Sequence, residues 1–222
     1  LTPGALPVPP SAPSIEGLES PQVRAGQTLK LVCVARGGNP PPSLHWDKDG
    51  RPLAGAWSRD SAHVTRNRLV LGVTPEDDGA TLRCRAVTSL PGGGGSASVQ
   101  LEVTYPPSEV TLSGSGTVPL NGSATLGCTS APSNPPVRLR WWLGGRQLEP
   151  SGGGPTPGWG RGLGAVSNVT LWGRVEDHGE NLVCEAETPG VGTRSASVTI
   201  SVPRESYWVI LVYTGLYWFV LG

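Results

Sequence analysis

The stretch that decides the fold is "CVARGGNPPPSLHW", Cys33 to Trp46, because the chain carries it twice. Its second form is "CTSAPSNPPVRLRW", Cys128 to Trp141. In each, Asn-Pro-Pro begins six residues after Cys and Trp stands thirteen residues after it. The correspondence continues on both sides. "DKDGRPL" after Trp46 matches "WLGGRQL" after Trp141, and "LVLGVTPEDDGATLRCRA" matches "VTLWGRVEDHGENLVCEA" at a constant offset of 100 residues. "SASVQLEV" from Ser96 matches "SASVTISV" from Ser195. One unit has been duplicated, and 222 residues suit two domains of about 100 each.

Within the unit, apolar residues alternate over short runs. Leu29, Leu31 and Cys33 share one face, as do Ala124, Leu126 and Cys128. Leu44 falls with Trp46, Leu139 with Trp141, and Leu82 with Cys84 and Ala86. A period of two with one apolar face marks half-buried antiparallel strands. Turn residues separate them at Asn39-Pro40, Asp49-Gly50, Asp78-Gly79 and Gly144-Gly145. Glycines (32) and prolines (23) make up about a quarter of the chain, which argues against long helices. Eight tryptophans and the alternating runs supply cores, which argues against disorder.

The four cysteines fall into two similar intervals, Cys33 to Cys84 and Cys128 to Cys184. Their spacing points to one disulfide per domain. Each such bridge contributes about 4 kcal/mol by restricting the unfolded chain, and implies an oxidising compartment. No close Cys pair has zinc-finger spacing. A Cys, then Trp thirteen residues on, then a second Cys is the spacing of an immunoglobulin sandwich. The expected fold class is therefore all-β: two tandem immunoglobulin-like sandwiches of constant-like or intermediate set, each with one inter-sheet disulfide. Trp46 and Trp141 take the core position on strand C. The family's Tyr two residues before the second Cys is replaced by Leu82 and Leu182, so its hydroxyl hydrogen bond is missing. Signals for the extra antibody-type strands C′ and C″ are absent.

The expected divisions are an N-terminal Pro-rich linker (1–13), a first domain (14–104), a second domain (105–203) and an apolar C-terminal segment (204–222). Pro106 and Pro107 make a short stiff joint, so the domains are expected end to end, as a rod. From Trp208 to Leu221 the chain is almost wholly apolar. As a helix this run spans about 21 Å, against roughly 30 Å of hydrocarbon. It reads as a truncated or atypical membrane anchor, the alternative being a non-native end. The sequence contains no Met, so it reads as a mature form or a fragment.

Trp142 follows the core Trp141, so it points to the opposite side with Arg138 and Arg140. On the neighbouring strand Val183, Glu185 and Glu187 share that side. An exposed Trp ringed by Arg has the composition of an interface hot spot. The plainer alternative is that Arg140 pairs with Glu185 and its stem covers the ring. The equivalent side of the first domain carries His45, Asp47, Arg83 and Arg85, an ordinary solvated charge ladder. Two N-glycosylation sequons occur, Asn121-Gly122-Ser123 and Asn168-Val169-Thr170. Val169 and Leu171 face inward, so Asn168 faces solvent. A glycan there would block its sheet and leave the Trp142 sheet free. "PGGGGS" (Pro91 to Ser96) is a flexible loop between strands F and G. "SGGGPTPGWGRGLG" (Ser151 to Gly164) lies between strands C and E, and lacks the ending of a phosphate loop.

Seventeen basic and seventeen acidic residues leave no net charge, which points away from a nucleic-acid partner. His45, His63 and His178 stand beside no nucleophile motif. No catalytic residue, metal site or cofactor is expected, and His178 reads as a turn residue.

"PSIEGLESPQVRAGQTLKLVCVARGGNPPPSLHWDKDGRPL", "VRLRWWLGGRQL" and "SNVTLWGRVEDHGENLVCEA" together resemble the nephrin family of immunoglobulin-superfamily adhesion receptors, over roughly Ser14 to Val202. The resemblance implies cell–cell adhesion at the plasma membrane, by contacts between like molecules or with immunoglobulin proteins of the Neph family. It implies a slit-diaphragm type of junction. The alternative function is a soluble or immune-type receptor for a heterologous protein ligand. Either way the chain is expected at the cell surface or secreted, and not to be an enzyme.

Overall fold

The computed structural model describes residues 6–61, 63–90, 93–158 and 162–203. The apolar segment expected at 204–222 and Pro91 of the F–G loop lie outside the described residues, among which no helix is long and apolar enough to cross a membrane.

The first sandwich is built from β1 (Val8–Pro10), β2 (Ser14–Glu16), β3 (Gln22–Arg24), β4 (Thr28–Asn39), β5 (Ser43–Lys48), β6 (Arg51–Leu53), β7 (Ala56–Ser61), β8 (Val64–Gly72), β9 (Thr81–Val87), β10 (Gly94–Gln100) and β11 (Glu102–Thr104). One sheet runs β1-β4-β8-β7, with β2 also on β4. The other runs β10-β9-β5-β6, and β3 pairs parallel with β11. The second sandwich follows with β12 (Val110–Ser113), β13 (Ser123–Ser133), β14 (Arg138–Leu143), β15 (Arg146–Leu148), β16 (Gly152–Pro157), β17 (Leu163–Trp172), β18 (Asn181–Thr188) and β19 (Gly192–Thr199). Its sheets run β12-β13-β17-β16 and β15-β14-β18-β19.

The disulfides Cys33–Cys84 and Cys128–Cys184 each join the two sheets of one sandwich. Register explains how each indole meets its bridge. Trp46 lies opposite Cys84 on β5–β9, and Trp141 opposite Cys184 on β14–β18. Across the sandwich, the residue paired with the first Cys accepts the indole N–H. Cys33 pairs with Asn67, whose carbonyl accepts from Trp46 Nε1 at 3.0 Å. Cys128 pairs with Ser167, whose hydroxyl accepts from Trp141 Nε1 at 3.0 Å. Each buried indole N–H, which is costly without a partner, is thereby satisfied from the opposite sheet. Leu82 and Leu182 are fully buried beside the bridges, so the missing Tyr is replaced by core hydrocarbon.

Three features differ from expectation. Val8–Pro10, inside the stretch expected as a linker, is a strand: Val8 pairs with Asn39 and Pro10 with Gly37. A C′ strand exists in both sandwiches, as β6 and β15. Each is only three residues long, too short for an alternation to show, and is set by a tight turn. Asp49 and Gly50 (φ 49° and 82°), and Gly144 and Gly145 (53° and 80°), are all left-handed. Such turns match the twist of the strands that they join. Third, the Gly-rich stretch after Ser151 is a strand, β16, which forms the outer edge of its sheet against β17. Gly152, Gly153 and Gly154 there are exposed.

Candidate protein-contact face of the second sandwich

Strand β14 sends Leu139, Trp141 and Leu143 toward the core and Arg138, Arg140 and Trp142 outward. On β18 the outward residues are Val183, Glu185 and Glu187. Antiparallel register sets Arg138 opposite Glu187, Arg140 opposite Glu185 and Trp142 opposite Val183. On the other side Trp142 lies beside Gln147. The structure thus gathers Arg138, Arg140, Trp142 and Glu185 on one sheet face.

Two details differ from the sequence reading. Trp142 is half-buried rather than exposed, and its Nε1 is covered, with no hydrogen-bond partner among the described residues. The part of the indole open to solvent is therefore carbon. Arg140 does not pair with the Glu185 opposite it. It reaches diagonally to Glu187, Nη2 to Oε2 at 2.9 Å, a diagonal that the twist of neighbouring strands brings within reach of a long side chain. With 41% and 36% of their side chains exposed, this pair contributes about 0–1 kcal/mol. The face as a whole sets the half-buried pair Trp142 and Val183 beside a charge-balanced row of Arg138, Arg140, Glu185 and Glu187.

The equivalent face of the first sandwich is not a solvated ladder. Asp47 is only 7% exposed. It accepts from Arg83 Nε at 3.0 Å, from Arg85 Nη2 at 3.5 Å and from the Gly50 amide at 3.1 Å. The Arg83 hydrogen bond, with lesser help from the Gly50 amide and Arg85, holds its carboxyl below the usual range despite the burial. Sequence reading counted charges on that face; burial of one of them needs the tertiary arrangement. His45 lies beside the Ser43 hydroxyl, Nε2 to Oγ at 3.0 Å.

A second carboxylate–cation contact recurs in both repeats. Lys48 Nζ lies 2.6 Å from Asp77, and Arg146 lies 3.5 Å from Asp177. Burial pushes the Asp77 carboxyl up, but the hydrogen bonds from Lys48 and Thr74 outweigh it and leave the carboxyl below its usual range. The residues that follow also correspond. Asp78 accepts the Val103 amide at 2.9 Å, and His178 Nδ1 accepts the Val202 amide at 3.0 Å. His178 is thus a turn residue that ties down the segment following β19. The described residues contain no group of three or more potential metal ligands.

The sequons lie on the other sheet. Asn168 on β17 is half-exposed, between inward Ser167 and Val169. Its Thr170 is exposed and shares hydrogen bonds with Thr125 and Ser151. Asn121 is exposed in a left-handed turn, φ 57°, before β13.

Residues 12–88 match the family model of the immunoglobulin domain, and residues 103–195 that of the CD80-like C2-set immunoglobulin domain. The chain therefore belongs to the immunoglobulin superfamily, as two tandem domains. It is similar to nephrin of Rattus norvegicus (41% identical) and of Homo sapiens (42%), over 208 residues that make up 90% of this chain and 17% of each nephrin. It is also similar to human Kin of IRRE-like protein 2, at 36% over 146 residues, 62% of this chain and 20% of that protein. The chain thus spans about a sixth of the length of the nephrins that it matches. Among solved structures, Rst D1-D2 superposes with a TM-score of 0.58 at 21% identity, covering 82% of this chain and 94% of that one. The mouse nectin-like molecule 4 ectodomain superposes with a TM-score of 0.54 at 24% identity, covering 91% and 67%. Both share the fold.

Proposed function

We propose that this chain is a non-catalytic adhesion and recognition module. It contacts other immunoglobulin proteins, either further copies of itself or relatives of the Kin of IRRE type, through the outer face of the β15-β14-β18-β19 sheet. The observation that carries this reading is Trp142: an indole that offers carbon to solvent beside Val183, at the end of a row formed by Arg138, Arg140, Glu185 and Glu187. Flat aromatic surface next to polar and charged groups is what protein interfaces bury. The similarity to nephrin over 90% of the chain supports adhesion as the setting. The two disulfides support an oxidising compartment, hence the cell surface or secretion. N-glycans on Asn121 and Asn168 would cover the opposite sheet and leave the Trp142 face open.

Beads coated with the full chain test the reading. Wild-type beads should cluster, and Trp142→Ala should weaken clustering by at least about tenfold in the concentration required, as for an interface anchor. Unchanged clustering would remove Trp142 from the contact. Absence of clustering together with tight capture of an unrelated ligand would move the function to a heterologous receptor.

A further inference from the structure

Strand β17 ends on an exposed indole. Val169 and Leu171 enter the core, whereas Thr170 and Trp172 face out, Trp172 with 64% of its surface open. Ser123 of β13 lies directly opposite Trp172. The two side chains therefore leave the same face of the sheet, with Cβ atoms about 5 Å apart. Ser123 is the third residue of the sequon Asn121-Gly122-Ser123. The turn that carries Asn121 is fastened to the residue after the indole. The Asn121 amide donates to the Gly173 carbonyl at 3.1 Å, and the Gly173 amide donates to the Gly122 carbonyl at 2.9 Å. Asn121 is itself exposed, so a sugar on its Nδ2 starts beside Trp172.

The first repeat has the same backbone without the two side chains. Gly26 stands seven residues before Cys33, as Asn121 does before Cys128, and Gly72 stands twelve before Cys84, as Trp172 does before Cys184. Gly26 and Asn121 are both left-handed, φ 87° and 57°. Thr28 pairs with Gly72 as Ser123 pairs with Trp172. The Gly26 amide donates to the Val73 carbonyl at 2.8 Å, and the Val73 amide to the Gln27 carbonyl at 2.9 Å. Where there is no sequon, the place of the indole is empty; where there is one, the indole is present. The fold itself thus has no need of an aromatic ring there.

The two groups are chemically complementary. One face of an N-acetylglucosamine ring presents only C–H groups, whose hydrogens are electropositive, and the face of an indole is electronegative. The other sequon is placed less well. Asn168 shares the strand and the face of Trp172 but lies four residues, about 13 Å, away. A Cβ on Gly127, opposite Asn168, would stand 3.1 Å from its Oδ1, so that amide leans across the pair rather than toward the indole.

We infer that Trp172 is a platform for the glycan of Asn121, its indole stacked against the first N-acetylglucosamine. The inference rests on the reading that Asn121 is glycosylated, and adds the site that holds the sugar. The sugar lies flat over β13 and β17 instead of swinging free, and it covers the apolar ring.

The test uses the full chain secreted from cells that make only high-mannose glycans. Peptide mass spectrometry reads both the occupancy of Asn121 and the oxidation of Trp172 by hydroxyl radicals. The glycan should roughly halve the rate of Trp172 oxidation relative to Ser123→Ala, because it covers one of the two ring faces. Asn168→Gln should leave that rate unchanged. In Asn168→Gln, trimming the remaining glycan to its first sugar should preserve the protection, and removing that sugar with an amidase should abolish it. These treatments act on folded protein, so they decide the outcome even if Ser123→Ala is not secreted. With carbon-13 in the N-acetyl groups, proton signals of the first sugar should be shifted upfield, and Trp172→Leu should return them to ordinary values. Equal oxidation of occupied and sugar-free chains, or sugar signals indifferent to Trp172→Leu, would overturn the platform and leave glycosylation standing. A bare Asn121 in the wild type would reject both. Protection that grows with protein concentration and survives removal of the sugar would give the ring to a protein contact, and would equally reject the platform.

Discussion

Asn67 and Ser167 occupy equivalent places and satisfy the same indole N–H with different atoms, a main-chain carbonyl in one repeat and a hydroxyl in the other. Ser167→Ala should therefore cost about 1–3 kcal/mol, the usual effect of leaving a buried donor unmet, read as a lower urea midpoint; Ser167→Thr should recover most of it. Asp47 predicts an acid response. Its folded pKa lies below the unfolded value, so its contribution is complete above the ordinary Asp range near pH 3.9. The contribution is lost as pH falls through the folded value. Asp47→Asn should flatten the pH dependence of the melting temperature below pH 4, because the substituted protein has no carboxylate to protonate there. At this scale the sequence revealed the bridges and core indoles, since two Cys and a Trp at fixed spacing leave little choice. It did not reveal the burial of Asp47 or the diagonal from Arg140 to Glu187. Both depend on how far a long charged side chain leans across neighbouring strands, and residue order alone does not encode that.

Among elements, the hairpins and the sheet edges behave differently. Gly145 is left-handed with open space where a Cβ would stand, so Gly145→Ala should cost only about 1 kcal/mol of backbone strain. Gly173 has an ordinary backbone, but a Cβ there would run into the Pro119 carbonyl, which also brings Leu120 alongside. Gly173→Ala should cost more than Gly145→Ala, and paired denaturation curves would rank them. The long strands were legible because their alternation persists over several residues. The C′ strands β6 and β15 were not, since three residues cannot display a period. β1 was missed because proline argues against strands, whereas Pro9 and Pro10 are tolerated at the outer edge of a sheet.

For the whole molecule, each disulfide belongs to one sandwich, so its loss should be felt locally. Replacing Cys128 and Cys184 together by Ala should destabilise the second sandwich by about 2–5 kcal/mol. Calorimetry should show its transition falling well below that of the first. A single shared transition for the wild type, displaced as a whole in the variant, would mean that the joint at Asn134 fuses the two cooperatively. The repeat and the two-sheet plan were readable from residue order, whereas the two backbone hydrogen bonds between Asn134 and Tyr105 were not. The rims of the two repeats also have unequal guards. The outer strand of the first, β7, carries Arg59 and Asp60; in the second, β16 opens on Gly152, Gly153 and Gly154. The peptide groups of Gly152, Gly153 and Gly154 carry no side chains to keep a stranger's backbone away, and only the far half of the strand is guarded, by Pro155 and Pro157. Concentrated stocks of the unglycosylated chain should accordingly self-associate along that rim, Gly154→Lys should keep them monodisperse, and a glycan on Asn168, opposite Gly152, should do the same.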